Sequence, residues 1–256
     1  MIPAFHYTLG SGSETWREQI GLARAAGFPA IDLDIRVAVR LDAQEVIDVL
    51  GELRPATGRL PAYPGQRLDP SVARFCRRVG LRVLTCSVRP SLPAPADLLP
   101  DYQGWAKTLA DEGLQLAIEA LTPLHLQNEH PYPYIQTLPQ LLDFISSTGP
   151  NAGLLFDTWH WHHGGLTLAD LPEEIPILHI HLADSPDLPH DLIRDTERLF
   201  PGEGTVILTD LLRAVPHYQG FVAPEVFGQR DRFPSAIARA RHGLQTTRAI
   251  LNEIGV

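Results

Sequence analysis

The chain has 256 residues, a formal net charge of −9, an apolar share of 44% and a charged share of 20%. This balance is typical of a soluble globular protein, and the acidic excess argues against a general nucleic-acid binder, whose binding face is usually basic. Two cysteines are too few for a disulfide scaffold and lack zinc-site spacing, so we expect core thiols in a reducing compartment.

The N-terminal segment has neither the basic start nor the long apolar stretch of a signal peptide. No apolar run reaches the roughly 18 residues that a membrane-spanning helix needs. We therefore expect a cytoplasmic protein that binds neither membranes nor nucleic acid, and the sequence leaves a homo-oligomer open.

Eight short apolar runs recur along the chain, and we interpret them as strands. Several are nearly continuous in Val, Ile and Leu, which is typical of parallel strands covered on both faces. The third contains a proline, which weakens its strand pattern. The runs are 3–9, 30–35, 58–63, 82–88, 115–121, 153–159, 177–183 and 221–227.

Helical patterns separate these runs. Thr15 and Glu18 have the spacing of a capping box, and Gly27 marks the end of the helix that follows. Further helical patterns begin near Asp42, Ser71, Leu98, Thr137, Leu208 and Pro234. Strands alternating with helices predict an α/β fold, a single (β/α)8 TIM-barrel domain over residues 1–256 rather than an open doubly wound sheet.

Chemistry in such a barrel gathers at the C-terminal ends of the strands. Four consecutive predicted strands carry a metal-binding type of side chain there, in an apolar context where burying it is costly. They are Glu119 in LAIEAL, Asp157 in LLFDTWH, His181 in LHIHLAD and Glu225 in VAPEVF. One such residue alone would favour a structural role, but parallel neighbours about 4.8 Å apart aim all four at one point.

Three carboxylates and one imidazole form an oxygen-rich ligand set. It suits Mn²⁺ or Mg²⁺, with Co²⁺ or Zn²⁺ as alternatives, and the absence of cysteine argues against a structural zinc. Four protein ligands also leave coordination positions for two adjacent oxygens of a substrate. We predict one divalent metal ion bound by these four residues.

Other polar residues flank the predicted site. His160 follows Asp157 by three residues, and we expect it either to contact substrate or to support Asp157. His162 and His163 favour the surface or a supporting position. The roles of these two histidines and of Asp34, at the end of the second strand, stay open.

Three features beside His181 are assigned supporting roles. His179 faces the same side of the strand one layer deeper, so we expect a core histidine or a support for the site. Asp184 favours a loop-capping role or a contact with a ligand residue. The PGEG stretch at 201–204 favours a tight turn that would bring Arg198 over the barrel mouth.

The stretches LLFDTWHWHH, HIHLADSPDLPHDLIRDTERLFPGEGTV and APEVF, in that order after LAIEAL, resemble the sugar phosphate isomerase/epimerase superfamily of xylose isomerase-like TIM barrels. Residues 181–206 are most similar to its inosose (2-keto-myo-inositol) isomerase type. The matching positions are His181, Asp184, Ser185, Asp195, Arg198, Pro201, Gly202 and Gly204. The resemblance covers most of 114–228 and extends to 15–35, where Asp32 stands in place of the more usual Glu; residues 36–113 match loosely.

The resemblance implies that the four strand-end residues bind one divalent metal. It implies that His160 and Arg198 contact substrate oxygens and that Glu119 and Glu225 double as the acid/base pair. We accordingly expect a metal-dependent isomerase or epimerase of a small sugar or polyol ketone, such as a ketose or keto-inositol. It would transfer a proton through a metal-stabilised enediolate.

Three alternatives remain. Loss of a β-hydroxyl from the same intermediate would give a dehydratase acting on a 3-dehydroshikimate-like substrate. An abasic-site endonuclease would need several zinc ions and a basic DNA face, against which the charge of −9 counts. A non-catalytic metal-binding barrel is disfavoured because a full acid/base pair, Glu119 and Glu225, serves no binding purpose.

Overall fold

The computed structural model describes residues 1–88, 95–120, 137–172, 175–189 and 192–255. Within them, eight strands close into a barrel in sequence order, each pairing in parallel with the next and the last with the first. The strands are β1 (Ile2–Phe5), β2 (Ala30–Leu33), β3 (Arg54–Arg59), β4 (Val83–Val88), β5 (Gln115–Ala120), β6 (Ala152–Asp157), β7 (Ile177–Leu182) and β8 (Phe221–Pro224). The predicted (β/α)8 fold is confirmed.

Helices lie between successive strands and after the last. They are α1 (Trp16–Ala26), α2 (Ile35–Ala38), α3 (Ala43–Leu50), α4 (Pro70–Arg78), α5 (Pro95–Ala110), α6 (Leu138–Thr148), α7 (Thr158–His163), α8 (Leu208–Arg213) and α9 (Ala236–Glu253). Short 3₁₀ turns include Tyr7–Leu9 and Asp195–Glu197. No helix in the described ranges combines the length and apolar character needed to cross a membrane.

The end signals of α1 act as the sequence predicts. Thr15 and Glu18 form a reciprocal capping box, and Gly27 ends α1 with a φ of 88°, a left-handed conformation that favours glycine. Two helices begin earlier than predicted: α4 at Pro70 rather than Ser71, and α5 at Pro95 rather than near Leu98. Asp69 caps α4, and its side chain accepts from the Ser71 amide.

The third strand also lies earlier than predicted, at Arg54–Arg59 rather than 58–63. Gly58 explains why a weakly apolar segment can occupy this place. A Cβ on Gly58 would lie 2.9 Å from a side-chain carbon of Leu81 and 3.0 Å from one of Ile35. At Gly58 the backbone of the strand therefore packs directly against the side chains of Leu81 and Ile35. A pattern of apolar residues does not reveal such a backbone contact.

Strand register aligns the polar ends of the barrel. Asp157 of β6 pairs in register with His181 of β7, and Ser87 of β4 pairs with Glu119 of β5. Apolar side chains between the barrel and its helices hold this arrangement, including Trp105 of α5, which is buried. Side chains that are distant in sequence thus share one edge of the sheet.

Candidate metal and catalytic site

The four strand-end residues converge at the C-terminal mouth of the barrel. Glu119, Asp157, His181 and Glu225 are buried, and one ligand atom from each lies within 4.8 Å of the others. They come from β5, β6, β7 and the residue directly after β8. The structure therefore brings together every side chain that the sequence predicts as a metal ligand. We call these four residues the ligand group.

His181 Nδ1 lies centrally in this group. It is 3.2 Å from Glu225 Oε2, 3.4 Å from Glu119 Oε1 and 3.9 Å from Asp157 Oδ2. Within the described residues, His181 Nδ1 and Glu119 Oε1 are buried without a partner of hydrogen-bond geometry. Such atoms are costly, and a cation between them would satisfy both, so the donor set fits a divalent metal ion.

Arg198 supplies the positive charge at this site. Its Nη1 donates to Asp157 Oδ2 at 2.8 Å and to Glu225 Oε2 at 3.1 Å, while Nη2 donates to His160 Nε2 at 3.1 Å. Asp195 Oδ1 lies 3.2 Å from Nη2. Burial alone would raise the pKa of Asp157, but Arg198, His160 and His181 together outweigh burial and hold that pKa well below its ordinary value.

The two carboxylate oxygens of Asp157 have different contacts. Its Oδ1 accepts the backbone N–H groups of Trp159 and His160 at 2.8 and 2.9 Å, so it caps α7. Its Oδ2 faces the ligand group. His160 thus holds Asp157 through its backbone, while its ring borders the cavity.

The two glutamates differ in their surroundings. Ser87 Oγ donates to Glu119 Oε2 at 2.9 Å, and His6 Nε2 lies 3.5 Å from Glu225 Oε1. Burial acts to raise the pKa of both carboxyls. At Glu119, His181 and His160 outweigh burial and lower the pKa; at Glu225, burial prevails and the pKa is raised. The surroundings of the two carboxyls therefore shift their pKa values in opposite directions.

A second polar layer lies beneath His181. Asp32 Oδ1 accepts from Thr57 Oγ1 at 2.7 Å, and Asp32 Oδ2 lies 3.1 Å from His179 Nε2 and 4.0 Å from His181 Nε2. Burial would raise the pKa of Asp32, but His179, with smaller contributions from His6 and His181, outweighs burial and the pKa falls to about 2. His179 is fully buried, so its predicted core position is confirmed.

Asp184 holds the loop that carries Arg198. Its two oxygens accept four backbone N–H groups, those of Ser185, Gly202, Gly204 and Val206. A Cβ on Gly204 would lie 2.1 Å from the Ser185 carbonyl oxygen, so only glycine fits this turn. Asp184 also pairs with Leu199, the neighbour of Arg198. The predicted loop-capping role and tight turn are confirmed.

A cavity of about 480 Å³ extends from the ligand group to the ends of the first four strands. Its lining at that far wall includes Tyr7, Arg59 and Trp105. This volume lies in the range of small-molecule sites, and the wall contains both aromatic and polar groups.

Sequence reasoning missed His6, Ser87 and Arg59. All three lie at or just beyond the ends of β1, β4 and β3. On the predicted bounds only Ser87 lies near a strand end, because His6 and Arg59 fall inside the predicted runs 3–9 and 58–63. Of the residues left open, Asp34 pairs with Arg36 at the cavity wall. His163 is buried, with Nε2 2.8 Å from Ser185 Oγ, whereas His162 is partly exposed.

Comparison with known sequences identifies relatives for much of the chain. The family model for xylose isomerase-like TIM barrels matches residues 71–250. The inosose isomerase of Halalkalibacterium halodurans is 30% identical over 103 residues, 38% of this chain and 36% of that protein. The inosose isomerase of Bacillus licheniformis is 27% identical over 146 residues, 55% and 50%. The chain thus spans about a third to a half of the length of these curated relatives.

Solved structures extend the likeness to the whole chain. A xylose isomerase domain protein from Alicyclobacillus acidocaldarius has a TM-score of 0.87 and 28% identity, with all of both chains covered. The IolI protein, with a bound zinc atom, has a TM-score of 0.80 and 16% identity over 99% of each chain. The probable 3-DHS dehydratase AsbF of Bacillus anthracis has a TM-score of 0.70 and 16% identity, covering 97% of this chain and 100% of that one. The last two show the fold alone.

Proposed function

Since the chain belongs to the xylose isomerase-like TIM barrel family, we propose that it is a divalent-metal-dependent isomerase or epimerase of a small ketose or keto-inositol. The observation that carries this proposal is the group of four buried ligand atoms within 4.8 Å of one another. The names of the inosose isomerase relatives support the substrate class.

Glu119, Asp157, His181 and Glu225 would hold the metal ion. Mn²⁺ or Mg²⁺ suits their oxygen-rich set best, and the zinc in the IolI structure supports a divalent ion while keeping Zn²⁺ and Co²⁺ as alternatives. A divalent cation bound there would supply Lewis-acid stabilisation for the negative oxygens of an enediolate.

Glu119 and Glu225 move the proton. One carboxylate takes the carbon-bound proton beside the carbonyl, and the electron pair of that bond passes to the carbonyl oxygen. The other carboxyl group returns a proton to carbon, and the carbon and face that receive it separate isomerisation from epimerisation. Ser87 fixes the orientation of Glu119, and His6 flanks Glu225.

Arg198 and His160 orient the substrate. The guanidinium is held in place by Asp157 and Asp195 and borders the cavity together with His160. Its fixed charge near the reacting oxygens would stabilise negative charge as it develops, because the surrounding residues are buried and exclude water.

Deuterium exchange tests this function. The full chain, loaded with Mn²⁺, is incubated in D₂O with inosose, a panel of ketoses and dehydroshikimate. Solvent deuterium at the carbon beside the carbonyl of inosose or a ketose is the expected result. A new enone or catechol absorbance with dehydroshikimate would instead establish the dehydratase, and no exchange into any ketone would refute the isomerase proposal.

A further inference from the structure

The far wall of the cavity carries a positive charge that the proposed chemistry does not use. Arg59, the last residue of β3, is partly buried and lines the cavity. Its Nη1 donates to the Tyr7 hydroxyl at 3.4 Å. Among the residues described, no carboxylate oxygen lies within 4.0 Å of its guanidinium nitrogens.

Two other arginines in this region have carboxylate partners that compensate their charge. Arg198, which also lines the cavity, contacts Asp157, Asp195 and Glu225. Arg36 contacts both oxygens of Asp34, with its Nε at 2.7 Å from Oδ1. Asp34 is therefore already paired with Arg36 and interacts with Arg59 only over a longer distance. Among the described residues, the Tyr7 hydroxyl is the hydrogen-bond partner of the Arg59 guanidinium. A planar guanidinium in this state favours a carboxylate or phosphate partner.

A continuous set of contacts relates Arg59 to the ligand group. His6 Nε2 lies 3.5 Å from Glu225 Oε1, and the His6 and Tyr7 rings have centroids 4.3 Å apart. The Tyr7 hydroxyl then reaches Arg59. Two side-chain rings thus lie between Glu225, the proposed acid/base residue, and the Arg59 charge, and Glu225 and Arg59 line one cavity of about 480 Å³.

The distribution of charge fixes the orientation of such a substrate. The end of the cavity at the ligand group is rich in carboxylates. This end suits a cation and, with it, the neutral oxygens of a hydroxyketone. An acid group carried by the substrate is repelled from that end and attracted to Arg59.

We propose that Arg59 and Tyr7 form a subsite for an anionic group, a carboxylate or a phosphate, at the end of the substrate remote from the reacting carbons. This rests on the proposed function and narrows its substrate class. Ketoses or keto-polyols that carry an acid group are preferred over neutral ones.

Calorimetric binding to the full, Mn²⁺-loaded chain tests the subsite with three six-carbon ketones: neutral D-fructose, D-fructose 6-phosphate and 5-keto-D-gluconate. We expect at least one anionic ketone to bind about tenfold or more tightly than fructose, as a charge-assisted contact provides. Which anion binds better separates a phosphate site from a carboxylate site. The preference should weaken as ionic strength rises.

Variants assign the preference to Arg59. Arg59→Gln should abolish it while fructose affinity changes less than about twofold, and Arg59→Lys should retain part of it. Arg82→Gln is the matched control, because Arg82 is exposed and directly precedes β4 at the opposite end of the barrel. Circular dichroism confirms that each variant is folded.

Equal affinity for neutral and anionic ketones, a preference that survives Arg59→Gln, or no measurable binding of either anion would each overturn the subsite. Deuterium exchange on the same ketones separates this outcome from failure of the proposed function. Exchange into fructose without any anion preference keeps the isomerase and removes the subsite. An Arg59-dependent preference without exchange into any ketone keeps the subsite and removes the isomerase.

Discussion

Arg198 donates from Nη1 to Asp157 Oδ2 over 2.8 Å, and each side chain is only 1% exposed. The same nitrogen reaches Glu225 Oε2, so the guanidinium contacts two of the four proposed ligands. Buried carboxylates need compensation. In the metal-free protein Arg198 provides this compensating positive charge, and a bound cation would compensate part of the same negative charge.

Arg198→Met should therefore destabilise the metal-free protein by about 3–5 kcal/mol, because it leaves buried carboxylates uncompensated. The loss should be smaller with saturating Mn²⁺. Urea unfolding in EDTA and in Mn²⁺ measures both values. Arg213→Met is the control, since its exposed pair with Asp210 contributes at most about 1 kcal/mol. Equal losses with and without metal would contradict this relationship.

His181→Gln should abolish metal binding, because it removes the central donor of the group. Elemental analysis after Mn²⁺ or Zn²⁺ loading should give about one ion per wild-type chain and almost none for the variant. His217→Gln changes an exposed histidine and should retain the wild-type value. Full metal content in His181→Gln would place the ion elsewhere.

Glu225→Gln should keep the fold and reduce turnover by at least about 10²-fold, because the amide preserves shape and cannot carry the proton. Steady-state kinetics on the substrate identified by exchange, with circular dichroism as the fold check, measures the effect. Glu253→Gln, at an exposed position in α9, should be unchanged. Turnover near the wild-type rate in Glu225→Gln would exclude its acid/base role.

Asp184→Asn should destabilise the protein by about 1–3 kcal/mol, because an amide cannot accept the four N–H groups that the carboxylate accepts. Since the loop carries Arg198, the Michaelis constant should also rise. Urea unfolding and kinetics report the two effects, and Asp187→Asn, exposed in the same loop, is the control. An unchanged free energy of unfolding would show that Asp184 does not stabilise the turn.

Acid should weaken the metal-free protein partly through Asp32. Its pKa is about 2 in the folded protein and about 3.9 in an unfolded chain. Its contribution is therefore complete above about pH 4 and is lost as the pH falls toward 2. Urea unfolding across this range in EDTA should show a shallower acid slope for Asp32→Asn than for wild type. Identical slopes would mean that Asp32 gains no stabilisation from His179.

The sequence predicts the barrel and the ligand group because both depend on local signals. An acidic residue or histidine at the end of an apolar strand, as in Glu119 or Asp157, is conspicuous, and parallel strands bring such ends together whatever the loops do. The capping pattern at Thr15 is equally local.

Features that depend on tertiary packing could not be predicted in this way. β3 owes its place to the close contacts of Gly58 rather than to an apolar pattern. The sequence predicts the loop that carries Arg198, but it does not predict the contacts of Arg198 with Asp157 and Glu225, because these residues are distant in sequence. Arg59 lies at the end of the strand whose bounds were predicted wrongly, which removed the positional cue.

The proposed ligands all lie in or directly after β5 to β8, whereas Arg59 and Tyr7 come from the first half of the chain. The proposed roles therefore place reactivity and selectivity in separate blocks of sequence. Divergence in residues 57–64 would then change which molecules are accepted while the proposed catalytic block stays intact, so directed evolution of new specificities should begin there.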